Sequence, residues 1–295
     1  MTDIKDPAPV YEAFAYLPPN IRAAVNMFCV KYPQLSRRVT EIRLRNGAAL
    51  SLSADGKNII FDVTGGISSS AYICTKEDVD ACAALLCGNS VHSHRDELEN
   101  GYISSAGRIR AGVSTYGVFG GSVWGVDGIC IRIPRDVPGC SAPLLDKTGA
   151  VSMLICSAPG VGKTTLLRDI AGQLCSVYGM RIVVCDTKYE LLPKKKPLFA
   201  DYICGKEKGP SIEAAVRNMS AQAVLCDELG GEDEVKAVLS AQSGGVILVC
   251  TAHADCMKTL LSRPNLRLIH DAGVFEKYVF LTRGEYGFSF DIQNG

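Results

Sequence analysis

Long apolar runs are missing from this chain. None approaches the roughly 20 residues a membrane-spanning helix needs, so any membrane association is expected to come through a partner. A charge imbalance is missing too. Lys+Arg and Asp+Glu stand at 31 each, which leaves no overall field to draw in nucleic acid or an anionic bilayer. That balance, with no stripe of interleaved aromatic and basic residues, argues against a nucleic-acid motor, although it leaves room for a local basic groove. The thirteen cysteines contain no C-x-x-C pair and are odd in number. Both facts argue against zinc and against a paired disulfide framework. Several cysteines instead close apolar runs, as in "MLIC", "RIVVC", "AVLC" and "ILVC", where a thiol reads as a small core residue in a reducing compartment. The opening "MTDIKDPAPVYEAF" is acidic and proline-broken, unlike a secretory signal.

What is present is a well-cored globular composition, 47% hydrophobic and 21% charged over 295 residues, enough for one large domain or two ordinary ones. In the first half, "PPNIRAAVNMFCVKYPQL" carries Ile21, Val25, Phe28 and Tyr32 at helical spacing, with Asn20 as the expected N-cap. "TEIRLRNGAALSLS" alternates in period two around Asn46-Gly47, which predicts a hairpin that "KNIIFDV" extends. "KEDVDACAALLCG" predicts a helix ending at Gly88. The glycine-rich "NGYISSAGRIRAGVSTYGVFGG" and then "GICIRIPR" read as strands. This half is mixed α+β with antiparallel pairing. His92 and His94 in "VHSHRDEL" are expected on one strand face without a third ligand, hence structural or at the surface.

From Val151 the pattern changes. Strand-like "VSMLIC", "RIVVCD", "AVLCDE" and "GVILVCTAH" alternate with helical segments over Thr164 to about Tyr178, around Ile212–Met219 and around Asp233–Ser243. Such alternation predicts a parallel sheet with crossover helices, closed by a hairpin in "VFEKYVFLTRGEYGFSFDI". The expected division is an α+β domain over 1–140 and an α/β domain over 141–295. The "KKK" run at 194–196 is expected in a solvated turn.

"SAPGVGKTT", residues 157–165, sits between a strand and a helix as a phosphate-binding loop does. The pattern is Gly, four free positions, Gly-Lys and Ser or Thr; Ser157 stands where the first glycine belongs. The candidate cradle is Ser157, Ala158, Pro159, Gly160, Val161, Gly162, Lys163, Thr164 and Thr165. Backbone N–H groups and the helix N-terminus favour an anion there. Lys163 is placed to reach β- and γ-phosphates and the Thr164 hydroxyl to ligate Mg²⁺. If position 157 requires positive φ, serine costs about 1–2 kcal/mol. Several charge-assisted hydrogen bonds, each worth about 1.5–3 kcal/mol, outweigh that.

"AVLCDEL" ends a buried strand in Asp227 and Glu228, whose carboxyl end opens on the same edge in a parallel sheet. Asp227 is the expected Mg²⁺ partner through water, and Glu228 the group that orients or deprotonates the attacking water. "GVILVCTAH" delivers Thr251 and His253 to that edge, where a hydroxyl or neutral imidazole can contact the γ-phosphate. A lone strand-end histidine is more often merely solvated.

Together "SAPGVGKTTLLRDIA", "RNMSAQAVLCDELGGEDEVKA" and "GGVILVCTAHA" resemble the stage III sporulation protein AA family, and "EIRLRNGAAL" and "ELENGYISSAGRIRAGVSTYG" extend the likeness into the first half. That family is similar to the traffic ATPases of type II and type IV secretion. The resemblance implies a C-terminal RecA-like P-loop NTPase domain behind a smaller α+β domain that rocks over ATP and Mg²⁺. It also implies a homo-hexamer, cytoplasmic and peripheral at the inner face of the mother-cell membrane, docked on membrane-embedded channel subunits between mother cell and forespore. An acidic segment is implied at Asp186 and Glu190, and a histidine segment at His253. Arginines from the first domain are implied at the γ-phosphate, with Arg108, Arg110 and Arg132 as candidates and Arg43 and Arg45 behind them; a solvated strand face explains any one of these equally well. In "DTKYEL" the residues between the carboxylates depart from the arginine and serine common in the family. The leading expectation is an ATP-hydrolysing assembly motor with no direct nucleic-acid contact. A nucleotide-gated scaffold and a RecA-like nucleic-acid motor are the alternatives.

Overall fold

In the computed structural model, residues 7–105, 108–119, 122–284 and 287–295 are described; 106–107 and 120–121 in the glycine-rich segment and 285–286 in the last hairpin lie outside that set. The chain forms two compact units, Met1–Arg135 and Asp136–Gly295. Asp136 belongs with the second because Arg168 Nη1 and the Lys194 amide both donate to its carboxylate.

The first unit opens with a 3₁₀ turn over Pro9–Tyr16 and helices α1 (Pro19–Lys31) and α2 (Pro33–Ser36). Strands β1 (Val39–Arg45), β2 (Ser51–Ala54) and β3 (Lys57–Ile60) follow. Next come helices α3 (Lys76–Leu86) and α4 (Arg95–Glu99), then β4 (Tyr102–Ser104), β5 (Arg110–Phe119) and β6 (Ser122–Arg132). The sheet order is β3-β2-β1-β6-β5-β4 with every neighbour antiparallel. Ile21, Ala24, Val25 and Phe28 of α1 and Val79, Cys82 and Leu86 of α3 share one core with Ile42, Leu44, Ala111, Ile129 and Ile131 of the sheet.

Two local expectations are corrected. Pro18, not Asn20, precedes α1, and the Asn20 amide donates instead to Asp78 Oδ1 at 2.6 Å and the Tyr72 hydroxyl at 2.8 Å. His92 and His94 lie in a 3₁₀ turn, Val91–His94, rather than on a strand. The His94 ring pairs with Glu97 at 2.8 Å, a local contact that a strand would forbid; the side chain of His92 lies outside the described set.

The second unit contains α5 (Ala142–Thr148), β7 (Met153–Cys156), α6 (Lys163–Ser176), β8 (Ile182–Asp186), β9 (Ala200–Cys204), α7 (Lys208–Asn218) and β10 (Ala223–Cys226). It continues with α8 (Glu232–Ser243), β11 (Ile247–Ala252), α9 (Met257–Leu261), α10 (Pro264–Asp271), β12 (Lys277–Gly284) and β13 (Gly287–Asn294). Sheet order is β13-β12-β7-β11-β10-β8-β9. All pairs are parallel except the closing β12–β13 hairpin.

Period-two alternation assigns each strand's residues to two cores. Met153, Ile155, Val184, Leu225 and Val249 pack with Leu166, Leu167, Ile170 and Leu174 of α6. Leu154, Val183, Val224 and Leu248 pack with α7, α8 and α10, and Cys156, Cys185, Cys226 and Cys250 lie on that same face. All thirteen cysteines are free thiols. Burial pushes the Cys156 thiol up to about 12, which keeps it protonated and inert. Strand β9 was not expected: its apolar stretch is short and carries an exposed Asp201.

Candidate functional site

Parallel register aligns the carboxyl ends of four strands. Cys156 lies beside Ala252, Cys226 beside Cys250 and beside Cys185. The residues that follow, Ser157, His253, Asp227 and Asp186, therefore open on one rim, with a single strand, β11, between the loop after β7 and the acidic pair after β10.

The loop after β7 turns through Gly160 at φ 78° and Gly162 at φ 124°. Gly162 has a second reason to be glycine, since a Cβ would sit 2.8 Å from the Phe288 ring. Ser157 is not among the residues with positive φ, so the strain considered for serine does not arise. Its hydroxyl instead donates to Ala158 O at 2.8 Å and accepts from Lys163 Nζ at 3.1 Å. Ser157 is buried while Ala158, Pro159 and Gly160 are exposed; Val161, Thr164 and Thr165 are half-buried.

Lys163 begins α6 and is 7% exposed. Its ammonium also donates to Ser157 O at 2.9 Å, to Ala158 O at 3.2 Å and to His253 Nδ1 at 3.1 Å. Among the described residues none of these partners carries a formal negative charge. Burial lowers the Lys163 pKa from its ordinary value, with the nearby Glu228 charge opposing. Such a cation is poised for an anion.

His253 spans the site, with Nε2 3.1 Å from Glu228 Oε1. Because Nδ1 faces an ammonium it accepts, which leaves Nε2–H to donate to the carboxylate. Glu228 also takes Lys188 Nζ at 2.8 Å. The Lys188 hydrogen bond, with that of His253, pulls its carboxyl down to about 2 against burial. Glu228 sits at φ 40°, a left-handed value uncommon for a residue with a side chain. Asp227 is 4% exposed, and burial pushes it up to about 6, with Lys208 opposing and Asp186, Glu190 and Glu228 adding to the rise.

Three placements differ from expectation. Thr251 is 1% exposed and its hydroxyl accepts the Glu228 amide at 2.8 Å, so it serves the backbone rather than facing a ligand. Asp186 is wholly buried; its two carboxylate oxygens accept the Glu190 and Leu191 amides at 2.8 Å each. It shapes its own turn; Glu190 is half-buried, and the charges of both act on Asp227. Lys188 and Lys208 were not singled out by sequence at all. Lys208 Nζ donates to Glu228 O at 2.7 Å and lies 3.2 Å from Glu234 Oε1 and 3.7 Å from Asp227 Oδ1.

The arginines form a group within the first unit. Glu41, Arg132 and Arg110 are cross-strand neighbours on β1, β6 and β5, so they share one sheet face. Arg43 donates to Glu41 Oε2 from Nε at 2.9 Å and from Nη2 at 2.6 Å. The Arg110 guanidinium lies 4.5 Å from the Tyr102 ring centre. Arg132 and Arg45 are exposed, whereas the Arg108 side chain is 10% exposed and pairs with Glu12 at 3.1 Å.

A family model described as sporulation stage III, protein AA, matches residues 17–290. The chain belongs to that family. Stage III sporulation protein AA of Bacillus subtilis (strain 168) is 27% identical over 270 residues, 84% of this chain and 83% of that one. Among solved structures, the Legionella pneumophila ATPase DotB superposes with TM-score 0.61 at 14% identity, covering 99% of this chain and 81% of DotB. The pilus retraction motor PilT, solved with bound ADP, gives 0.60 at 15% identity, covering 90% and 82%. At such identities these likenesses show the fold, that of P-loop secretion ATPases. No described helix is long and apolar enough to cross a membrane.

Proposed function

We propose that this member of the family binds ATP with Mg²⁺ at the rim of its second unit and hydrolyses it as a motor of the secretion-ATPase type. One observation carries the reading: an unbroken chain of contacts, Lys163 to His253 to Glu228, joins the phosphate loop to the acidic pair across three strand ends. The residues fit the nucleotide. A buried ammonium with no charged hydrogen-bond partner among the described residues stands in a loop whose two positive-φ glycines allow backbone amides to converge. The fit to Mg²⁺ is a half-buried Thr164 and a buried Asp227, an oxygen-only set suited to a hydrated hard cation.

When bound, Mg²⁺ would supply neutralisation of phosphate charge. Loop amides of 158 and 160–165 and Lys163 would hold the phosphates, and Thr164 and Asp227 would hold the cation. Glu228 orients the attacking water and accepts its proton. Engaging a phosphate oxygen draws Lys163 off its loop carbonyls and off His253, so His253 reports phosphate occupancy to Glu228. Glu190 adds negative charge beside Asp227. Arg108, Arg110 and Arg132 of the first unit are the candidate arginines for neutralising γ-phosphate charge. Assembly is a homo-hexamer docked on membrane-embedded channel subunits at the inner face of the mother-cell membrane, where it energises the mother cell–forespore channel. Calorimetric titration with ATP and Mg²⁺ tests the site: wild type binds, and Lys163→Ala loses binding by on the order of 100-fold or more. Equal affinity contradicts it.

A scaffold that binds ATP and turns it over negligibly is favoured by one feature. Glu228 is held by Lys188 and His253, and a carboxylate so tied is a weak base.

A further inference from the structure

We infer that Lys208 is a positioning residue for hydrolysis: it is the internal cation that fixes the β10–α8 turn so that Glu228 and Asp227 face the phosphate loop. The inference rests on the hydrolysis reading above. Lys208 opens α7 and is 9% exposed, so its ammonium must find its partners inside the protein. Among the described residues it finds them on the acidic turn and at the start of α8: Glu228 O at 2.7 Å, Glu234 Oε1 at 3.2 Å and Asp227 Oδ1 at 3.7 Å. The neighbouring Gly209 makes that reach possible. A Cβ there would stand 3.0 Å from Asp233 O, so glycine lets the start of α7 approach the α8 backbone.

The turn is otherwise tied at its amides and at one further carbonyl. Thr251 takes the amides of Glu228 and Leu229 at 2.8 Å each. Glu234 Oε2 takes those of Gly230 and Gly231 at 2.8 and 3.0 Å, and Asn265 donates to Gly230 O at 2.8 Å. Lys208 supplies the missing tie, on the carbonyl of Glu228 itself. That matters because Glu228 holds φ 40°, a conformation that persists only where the surroundings over-determine it. A charge-assisted hydrogen bond to the peptide oxygen does so. The same ammonium stands between Asp227 and Glu234, which would otherwise meet as like charges.

A structural ion pair alone predicts lost stability without a specific loss of turnover, and the test separates the two. Full-length Lys208→Met and Lys208→Arg proteins are compared with wild type, each also in a Glu228→Gln background, by steady-state phosphate release, binding of a fluorescent ATP analogue with Mg²⁺, and thermal unfolding. The expected result for Lys208→Met is a kcat lowered on the order of 10- to 100-fold with nucleotide Kd within about threefold. Lys208→Arg restores part of the rate, and Lys208→Met has no further effect once Glu228 is Gln. An unchanged kcat, or losses that multiply with Glu228→Gln, overturns the inference while leaving the ATPase reading intact. Wild type that binds ATP but releases phosphate no faster than Glu228→Gln ends the ATPase reading and this inference with it. If Lys208→Met does not fold, Glu234→Gln, which loosens the same network from its other end, carries the same expected and contrary results.

Discussion

Thr251 holds Glu228 in place from the neighbouring strand: its hydroxyl accepts the Glu228 amide at 2.8 Å and its carbonyl accepts that of Leu229 at the same distance. Replacing the hydroxyl by a methyl keeps the volume but strands an N–H in a part-buried site. Thr251→Val is therefore expected to cost about 1–3 kcal/mol in stability and to lower turnover, whereas Thr251→Ser retains both. Chemical denaturation with phosphate release checks this; a Val variant as active as wild type contradicts the positioning role.

Ser157 takes part in the loop rather than merely being tolerated there. Without positive φ at 157, Ser157→Gly relieves no strain and removes hydrogen bonds to Ala158 O and from Lys163. Nucleotide affinity is expected to change by less than about tenfold, the weight of one ordinary hydrogen bond, with a small loss of stability from added backbone freedom. A large gain in affinity on restoring glycine would refute this.

Gly160 and Gly162 should respond differently to alanine. Both have positive φ, but the space beside Gly160 is open, whereas a Cβ at Gly162 meets Phe288 at 2.8 Å. Gly160→Ala is expected to cost about 1–2 kcal/mol from backbone strain, and Gly162→Ala to cost more and to weaken nucleotide binding. Thermal unfolding and nucleotide titration of the pair test the order.

The acidic pair should shape stability against pH in opposite senses. Asp227 is raised from 3.8 to about 6, so its contribution is fully present below its unfolded pKa and is lost as pH rises through about 6. Glu228 is lowered from 4.5 to about 2; its contribution is present above 4.5 and lost as pH falls toward 2. Asp227→Asn is accordingly expected to stabilise the fold more at pH 8 than at pH 5, by about 1.4 kcal/mol between them, while losing Mg²⁺ dependence. A gain that is flat across pH 5–8 contradicts the assignment.

Much of this site was legible because its signals are local. The glycines and lysine of 160–163, the carboxylates at 227–228 and His253 each follow a short β-branched run, and parallel register then brings them to one rim. What sequence could not show depends on distant partners. Lys208 meets Glu228 across 20 residues and Lys188 meets it across 40, and an isolated lysine normally reads as solvated surface. A strand-end carboxylate such as Asp186 has two outlets that sequence does not separate, a ligand or the amides of its own turn, and here the turn takes both oxygens. Asn20 was drawn from capping duty by Asp78 and Tyr72, residues far along the chain.

The most direct test of the central claim is steady-state phosphate release with ATP and Mg²⁺ from wild type and Glu228→Gln, each shown to bind ATP. The account predicts turnover by wild type and a loss on the order of 100-fold or more in Glu228→Gln with binding retained. Equal rates in the two proteins would contradict it.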